Sequence, residues 1–321
     1  MNINKNTKGL SEAAILAAII CILGIMGLYI PFLSFALILI PTPLMILGKR
    51  YNIKYSLMAL IVSSVIITMV SNPLTGIVSV LVPGIAGVAM GEFLKRKFRP
   101  SLTLGIGTII SIVSTIIALL LILQISGISV VEQIESVLNE SFAVQEKLYS
   151  LSGADEETIA TAKQMLQDLK NMVTMSIPAM VILMGFITAY VNMFFSILIF
   201  KRTKQKIEGF SPFRYFRLSK SASQGIAVVI LLTILIGYLN IVDNQVLNFN
   251  IYILGVLIFG LQGMAVIAYF LRYYGVMNIL KIFIFLILFL TSMGEIIVVL
   301  IGIADIFVDF RKYRKEKESN S

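Results

Sequence analysis

The sequence predicts an all-α membrane protein, a polytopic bundle of about ten transmembrane helices within a range of eight to ten. Apolar residues make up 58% of the chain and the mean hydropathy is +0.94, which is far too apolar for a soluble domain. These residues form runs of about 20, the length that crosses a hydrocarbon layer about 30 Å thick as a helix. Basic residues cluster between the runs, as in a chain that crosses the bilayer repeatedly.

Eight apolar runs follow one another, and a longer run follows them. They lie near residues 9–30, 32–48, 55–72, 74–94, 101–126, 173–200, 222–240 and 250–271, with the long run at 276–310. One helix of that last length would measure about 52 Å, which is too long for one crossing. We therefore predict a hairpin that turns near residues 291–295, "TSMGE", and that raises the count to ten.

The basic clusters predict the orientation. Lys49 and Arg50, "KRKFR" at 95–99 and "KRTKQK" at 201–206 all follow an even number of crossings. The positive-inside rule places these loops and both termini in the cytoplasm, so the expected location is the cytoplasmic (inner) membrane. The net charge of +9 is explained by topology, so we expect the lipid bilayer as a partner and no nucleic acid.

Residues 127–172 form an acidic interruption between the fifth and sixth runs, with three lysines against eight acidic residues. Apolar residues recur at helical spacing on both sides of Gly153, a residue that favours a break. We predict an extracytoplasmic pair of amphipathic helices, a helical hairpin that caps the bundle.

The residue types speak against catalysis. The chain has no histidine, a single cysteine and no phosphate-binding loop, metal-ligand cluster or nucleophile–base pair. We expect no enzyme activity, no catalytic residues, no metal and no cofactor, and an enzyme acting on lipids ranks a distant third among the functions considered. The basic and aromatic segment at 201–221 predicts a boundary between a six-span half, residues 1–206, and a four-span half, residues 207–321.

Three stretches carry a resemblance to a known family. "LQGMAVIAYFLRYYG" at 261–275 and "IGIADIFVDFRKYRK" at 301–315 resemble the carboxy-terminal pattern of the YybS-like bacterial membrane proteins. "IPTPLMILGKRY" at 40–51 is similar to the pattern of their amino-terminal half. The family implies a polytopic membrane protein and no established activity.

The first six spans also resemble a substrate-binding S component of energy-coupling-factor vitamin transporters and the rod-shape protein MreD. In S components an Ala-x-x-x-Ala face of the first span docks on a transmembrane coupling subunit. Ala13 with Ala17 and Ala14 with Ala18 match that face here. Such small-residue faces also serve ordinary helix packing, and this alternative stays open. The acidic insertion and the four further spans depart from the S-component pattern.

Candidate binding residues are few. The "NPLTG" turn at 72–76 would lie at an S component's substrate pocket, with Asn72 and Thr75 as its useful side chains. Glu295 lies at the predicted outer turn without a basic neighbour in sequence. An ordinary capped turn and a solvated turn explain both places as well.

Other polar residues in the apolar runs are predicted to be structural. Glu92 has Arg96 at i+4, which predicts a local ion pair, and Asp305 and Asp309 are expected to be interfacial anchors, with a cation site as the alternative. Gln262, Asn192 and Tyr190 are expected to form hydrogen bonds between helices. Gly84, Gly87 and Gly91 predict a close helix contact behind a proline kink.

The leading functional hypothesis is S-component-like binding or transport of a small apolar solute with an external coupling ATPase. The alternative is a non-transporting scaffold of the cell-envelope machinery, like MreD, that contacts envelope proteins.

Overall fold

A computed structural model describes residues 3–151, 155–205, 207–239, 244–308 and 310–311. Within these ranges every regular element is helical, so the all-α prediction is confirmed. The chain divides into two compact units, which we describe separately. Unit 1 comprises Met1–Thr174 and Met180–Phe210, and unit 2 comprises Met175–Ala179 and Ser211–Ser321. Their boundary follows residue 210, whereas the sequence analysis placed it after residue 206.

Unit 1 is built from helices, and three of its α-helices in the described residues begin at a proline. Its α-helices are α1 (Ile3–Tyr29), α2 (Pro41–Arg50), α3 (Ile53–Val70), α4 (Pro73–Gly76), α5 (Val82–Lys95), α6 (Pro100–Ser126), α7 (Val130–Leu151) and α8 (Glu156–Arg202). Proline is favoured at the start of a helix because the first N–H groups have no partner within the helix. Helix α8 also contains Met175–Ala179, which belongs to unit 2.

Two of the spans in unit 1 change helix type along their length. The second span begins as a 3-10 helix, Pro31–Leu39, and continues as α2, whereas a π-helical turn, Ile77–Leu81, joins α4 to α5. A 3-10 helix of nine residues is unusually long. Asn192 of α8 bonds to both sides of the junction between the 3-10 helix and α2. It accepts a hydrogen bond from the Thr42 hydroxyl and donates one to the Ile38 carbonyl, both at 2.7 Å. The predicted interhelical role of Asn192 is confirmed.

The predicted glycine contact closes α5 against α2. A Cβ on Gly87 would lie 2.5 Å from the Pro41 carbonyl oxygen, and a Cβ on Gly91 would lie 2.8 Å from that of Met45. Both distances are too short for any side chain, so glycine is required for this approach. Ala59, Leu60 and Val88 belong to the buried apolar cluster beside it, and Met90, Met193 and Phe200 belong to a second cluster.

The acidic insertion forms an antiparallel pair from α7 and the first part of α8. Lys163 and Glu146 form an ion pair at 2.8 Å, and Lys170 donates to the Asn139 side chain. In sequence, the midpoint of each pair lies between residues 154 and 155. This is expected for two antiparallel helices joined near Gly153, a residue that lies outside the described ones. The sequence did not predict that the second helix continues without interruption into the sixth span, as one helix of 47 residues.

Capping side chains define the ends of this pair. Ser129 and Glu132 form a capping box at the start of α7, in which the Ser129 N–H donates to the Glu132 carboxylate at 2.6 Å. This hydrogen bond lowers the pKa of Glu132. Asp155 caps α8 by accepting from the Thr158 N–H at 3.2 Å. Hydrogen bonds from the side chain and then the backbone of Thr158 lower the pKa of Asp155.

Unit 2 contains α9 (Lys220–Tyr238), α10 (Asn244–Tyr273), α11 (Asn278–Leu290) and α12 (Ser292–Val308). Helices α11 and α12 meet at Thr291 with a bend of 102°. The break therefore lies at the predicted turn, but the direction changes by about a right angle and does not reverse.

Seven helices in the described part of the chain are long and apolar enough to cross a membrane, or eight if the bent pair is one span. Six of these seven belong wholly or mostly to unit 1, and α10 belongs to unit 2. The predicted total of ten counts α9 and both arms of the bent pair separately. Helix α11 has 13 residues and is about 20 Å long, which is shorter than the hydrocarbon layer.

Helices α10 and α12 cross at two glycines in unit 2. A Cβ on Gly263 would collide with the Val298 carbonyl, and a Cβ on Gly302 would collide with the Phe259 carbonyl. The backbones therefore touch, which is the close approach that small residues permit in membrane helices.

Asn250 of α10 replaces a helix hydrogen bond in the segment Met175–Ala179. Its side chain accepts from the Ala179 N–H at 2.7 Å and donates to the Met175 carbonyl at 2.6 Å. These two groups would pair with each other in a regular α-helix, and Pro178 lies between them. The buried amide of Asn250 therefore satisfies the backbone where proline disturbs it.

Candidate functional site

The predicted docking face on α1 is divided by the fold. Ala13 and Ala17 are 3% and 5% exposed and pack into the buried core of unit 1. Ala14 and Ala18 lie on the exposed side of the same helix. The prediction that all four alanines form a docking face is therefore corrected for Ala13 and Ala17, because their surface is already occupied. Docking through Ala14 and Ala18 stays a prediction.

The predicted substrate residues take structural contacts. The Asn72 side chain caps α4 by accepting from the Thr75 N–H at 2.8 Å. Glu295 is exposed in unit 2 and accepts a hydrogen bond from the Tyr252 hydroxyl at 3.3 Å. It lines a largely apolar cavity of about 300 Å³ with residues of α10, α11 and α12. Asn72 and Thr75 belong to unit 1, and Glu295 belongs to unit 2.

A small cavity lined by hydroxyl groups lies within the spans of unit 1. It measures about 120 Å³, and its polar lining consists of Ser111, Ser114, Thr115 and Thr188. The Ser111 hydroxyl is buried and has no hydrogen-bond partner among the described residues. Val78 of the π-helical turn also lines the cavity, and such turns are frequent at functional sites. Sequence reasoning missed this site because serine and threonine are common in membrane helices.

The largest cavity of those described lies at the end of unit 1 that carries its basic loops, which we call the basic end. It measures about 730 Å³ and is lined by four cationic side chains, those of Lys49, Lys95, Lys97 and Arg99. Glu208 is the acidic residue in its lining. The sequence analysis used these basic residues for topology alone, and nothing in their spacing indicated that Lys49 would join the other three.

Local contacts decide which basic residues face this cavity. Arg96 pairs with Glu92 at 2.9 Å, which confirms the predicted i,i+4 ion pair, and Arg96 is absent from the lining. Lys95 also donates to the Asn52 side chain at 3.4 Å. The ammonium group of Lys49 lies 4.0 Å from the centroid of the Phe200 ring, a cation–π contact that fixes its position.

A carboxylate–arginine pair lies beside that cavity. Glu12 of α1 pairs with Arg50 of α2 and accepts a hydrogen bond from the Tyr51 hydroxyl at 2.7 Å. The hydrogen bond to Glu12 raises the pKa of Tyr51, and burial and the charge of Glu12 act in the same direction, whereas Arg50 opposes them. These three residues line an open cavity of about 530 Å³.

Unit 2 contains a further carboxylate–arginine pair, and it is buried. Asp305 is 0% exposed, and one of its oxygens accepts from Arg311 at 2.5 Å and from Gln262 at 3.1 Å. Arg311 also donates to the carbonyls of Arg214 and Phe216. The prediction of an interfacial anchor is wrong for Asp305, because it is enclosed by α10 and by the segment before α9. Asp309 lies outside the described residues.

The polar side chains described above form ion pairs and hydrogen bonds. Among the described residues, no group of three or more histidine, cysteine, aspartate or glutamate side chains could hold a metal ion. The predicted interhelical role of Gln262 is confirmed, since it donates to Asp305 and accepts from the Leu218 N–H. Tyr190 stacks on Phe186 and Phe210.

Comparison with known proteins agrees with this architecture. The model of a family described as predicted membrane protein, DUF2232, matches residues 18–306. The chain belongs to this family. It is also 25% identical over 272 residues to the uncharacterized protein YybS of Bacillus subtilis strain 168, covering 83% of this chain and 85% of that protein. The resemblance to YybS-like proteins is therefore confirmed. No solved structure matched the chain significantly.

The family and the fold together establish a multi-pass integral membrane protein. The family match extends over most of unit 1 and over α9, α10 and α11 into α12. Ala18 and the buried Asp305 lie within the matched range, whereas Ala14, Glu12 and Arg311 lie outside it.

Proposed function

We propose that unit 1 is an S-component-like binding or transport half for a small, rather apolar solute, and that an external coupling ATPase drives it. The proposed protein is not itself an enzyme. It lies in the cytoplasmic membrane with both termini in the cytoplasm, as its basic loops favour.

One observation carries the proposal, the exposed pair Ala14 and Ala18 on α1. Ala13 and Ala17 are small because the core of unit 1 leaves no room for more, but no such reason applies to the other two within unit 1. Leucine would cover more lipid at an exposed site. Small residues there suit a partner helix that approaches closely, such as that of a transmembrane coupling subunit.

The hydroxyl-lined cavity supports the binding half of the proposal. Its walls are apolar apart from the four hydroxyl groups, and its 120 Å³ suits a small solute with one polar group. Ligand pockets in proteins are mostly apolar with a few placed polar groups, although most are larger.

The test compares the two faces of α1. Ala14→Leu with Ala18→Leu should leave thermal stability in detergent unchanged and abolish co-purification of a polytopic subunit and of an ATPase with a phosphate-binding loop. The matched control, Ala13→Leu with Ala17→Leu, should destabilise the protein by about 1–3 kcal/mol per site through overpacking. Unchanged co-purification in the first variant, or no such partner with the wild type, would contradict the coupling proposal.

A non-transporting scaffold that contacts envelope proteins is the second candidate. The acidic pair formed by α7 and the start of α8 favours it, because the ion pair of Glu146 with Lys163 holds an ordered polar surface. Thermal stabilisation by a small solute separates the two candidates, since a ligand that binds the folded state raises apparent stability. If a solute stabilises the wild type and Ser111→Val abolishes this effect, the transporter is favoured. If envelope proteins are recovered through the helix pair of α7 and α8 and no solute stabilises the protein, the scaffold is favoured.

A further inference from the structure

The cavity at the basic end of unit 1 combines positive charge with an apolar wall. Its lining contains four cationic residues, Lys49, Lys95, Lys97 and Arg99, and four apolar ones. The apolar residues of the lining are Leu94, Phe98, Pro100 and Ile207. Among the described residues of the lining, four cations against the carboxylate of Glu208 leave a net positive charge, so the complementary ligand is an anion that also carries apolar surface.

Lys97 occupies a backbone conformation that normally requires glycine. Its φ is +61°, in the left-handed region, where a Cβ is strained. Helix α5 ends there in a Schellman motif: the Phe98 N–H donates to the Phe93 carbonyl and the Lys97 N–H donates to the Leu94 carbonyl, each at 3.1 Å. Glycine is the usual residue at this position, so replacing Lys97 by glycine removes a charge from the cavity and relieves the backbone strain at the same time.

The end of α8 contains the same arrangement without the cavity. Lys204 has a φ of +56°, and the Gln205 N–H donates to the Phe200 carbonyl as in the motif that ends α5. Lys204 is not part of the cavity lining, whereas Lys97 is. The chain therefore offers two lysines with the same backbone strain and different surroundings.

We propose that this cavity binds the phosphate headgroup of an anionic lipid. The planar guanidinium of Arg99 pairs with two phosphate oxygens, and the three ammonium groups act as point charges around them. Phe98 and Ile207 contact the first carbons of the acyl chains. Basic pockets beside membrane helices are a recognised form of headgroup site, and the volume of about 730 Å³ accommodates a headgroup with its glycerol. A soluble phosphate ester shares the charged half of this chemistry but not the apolar half.

The experiment uses the full chain in nanodiscs of dioleoylphosphatidylcholine with increasing dioleoylphosphatidylglycerol, and it follows thermal unfolding. We expect the wild type to be stabilised by phosphatidylglycerol in a saturable way. Lys97→Gly relieves backbone strain, so its melting temperature in pure phosphatidylcholine should equal or exceed that of the wild type. Its half-saturating phosphatidylglycerol fraction should rise about fivefold, the effect of one lysine charge near a lipid phosphate.

Lys204→Gly is the matched control, with the same strain relief and the same loss of one positive charge. Its half-saturating fraction should equal that of the wild type. An equal rise in both glycine variants, or no rise in Lys97→Gly, would overturn the proposal, because surface charge alone would then explain lipid binding. Should Lys97→Gly fail to fold, Lys97→Asn tests the same charge, since asparagine tolerates the left-handed region.

Glycerol 3-phosphate, added to protein in phosphatidylcholine nanodiscs, distinguishes the two sources of phosphate. We expect no saturable stabilisation by it in the millimolar range. Stabilisation that matched that of phosphatidylglycerol and was lost in Lys97→Gly would assign the cavity to a soluble phosphate and overturn the lipid proposal.

Discussion

The pair of Glu12 with Arg50 in unit 1 and the pair of Asp305 with Arg311 in unit 2 share their chemistry and differ in their surroundings. The side chains of Arg50 and Glu12 in unit 1 are 20% and 25% exposed and border an open cavity. The side chains of Arg311 and Asp305 in unit 2 are 9% and 0% exposed. Residue type therefore does not decide whether such a pair supports the fold or remains available to a ligand. What decides it is how far the surrounding helices bury the pair.

The buried pair of Arg311 and Asp305, which we call the closed pair, depends on contacts from several elements. Gln262 of α10 and two backbone carbonyls complete its hydrogen bonds, whereas the second oxygen of Asp305 has no partner among the described residues. A buried charge without its counter-charge is costly, so we expect the closed pair to matter more for stability. In the partly exposed pair of Arg50 and Glu12, which we call the open pair, the carboxylate of Glu12 can bond to water and to the Tyr51 hydroxyl if Arg50 is lost.

The largest expected effect comes from breaking the closed pair. Arg311→Met should lower the free energy of unfolding by about 3–5 kcal/mol, because it leaves the carboxylate of Asp305 buried without its counter-charge. Unfolding by SDS in mixed micelles measures this change. Adding Asp305→Asn to Arg311→Met should recover part of the loss, and a double variant that is no more stable than the single one would contradict an electrostatic cause.

The helix crossing beside the closed pair should have the next largest effect. Gly302 lies three residues before Asp305, and Gly302→Ala would push α12 away from the Phe259 carbonyl. We expect a loss of about 2–3 kcal/mol, in the range of overpacked cores, measured by the same SDS titration.

Gly255→Ala on α10 provides the control for this crossing. A Cβ there would meet nothing within 4 Å, so the variant should be neutral or more stable by up to about 1 kcal/mol. Equal losses for both glycines would contradict the crossing as the cause, because helix propensity favours alanine at both positions.

Breaking the open pair should have a smaller effect. Arg50→Met repeats the substitution made at Arg311, and we expect a loss of about 1–2 kcal/mol, because Glu12 keeps the Tyr51 hydroxyl and can be hydrated. The ratio of the two losses, measured under one set of conditions, tests the comparison directly. A loss as large as that of Arg311→Met would remove the distinction between an open and a closed pair.

The smallest expected effect is a pH dependence of the open pair. The pKa of Tyr51 is raised in the folded protein, so the stability from its hydrogen bond is complete below the unfolded value of about 10 and is lost as the pH rises through the folded pKa. The free energy of unfolding of the wild type should therefore exceed that of Tyr51→Phe by about 0.5–1.5 kcal/mol at pH 8, and this difference should decline above about pH 10. A difference that stayed constant over that range would contradict the hydrogen bond to Glu12.

Local patterns predicted local structure well. The pairing of Glu92 with Arg96 followed from i,i+4 spacing, and the close contact of α5 followed from Gly87 and Gly91 at the same spacing. The two amphipathic helices of the acidic segment were also predicted, because their apolar spacing lies within one segment, whereas their caps were not. The continuity of α8 was missed, since the change from a polar to an apolar surface suggested a break that the backbone does not make.

The candidate sites were predicted less completely. The alanine pattern identified a close-packing face but could not say which of two adjacent stripes faces inward, because Ala13 and Ala14 are equivalent in composition. Asn72 appeared available in sequence, whereas its side chain is used to cap α4. The basic cavity was missed because Lys49 and Lys95 belong to different loops.

The sequence by itself determined the membrane class, the helical fold and the basic loops, because these depend on composition and on spacing within one run. The tertiary structure alone decided that Asp305 is enclosed, that Ala13 and Ala17 are covered, and that Lys49 shares a cavity with Lys97. These outcomes rest on contacts between distant residues: Arg311 donates to the carbonyl of Arg214, 97 residues earlier in the chain. A helical period shows which residues share a face, but the partner of that face is set by packing of the whole unit.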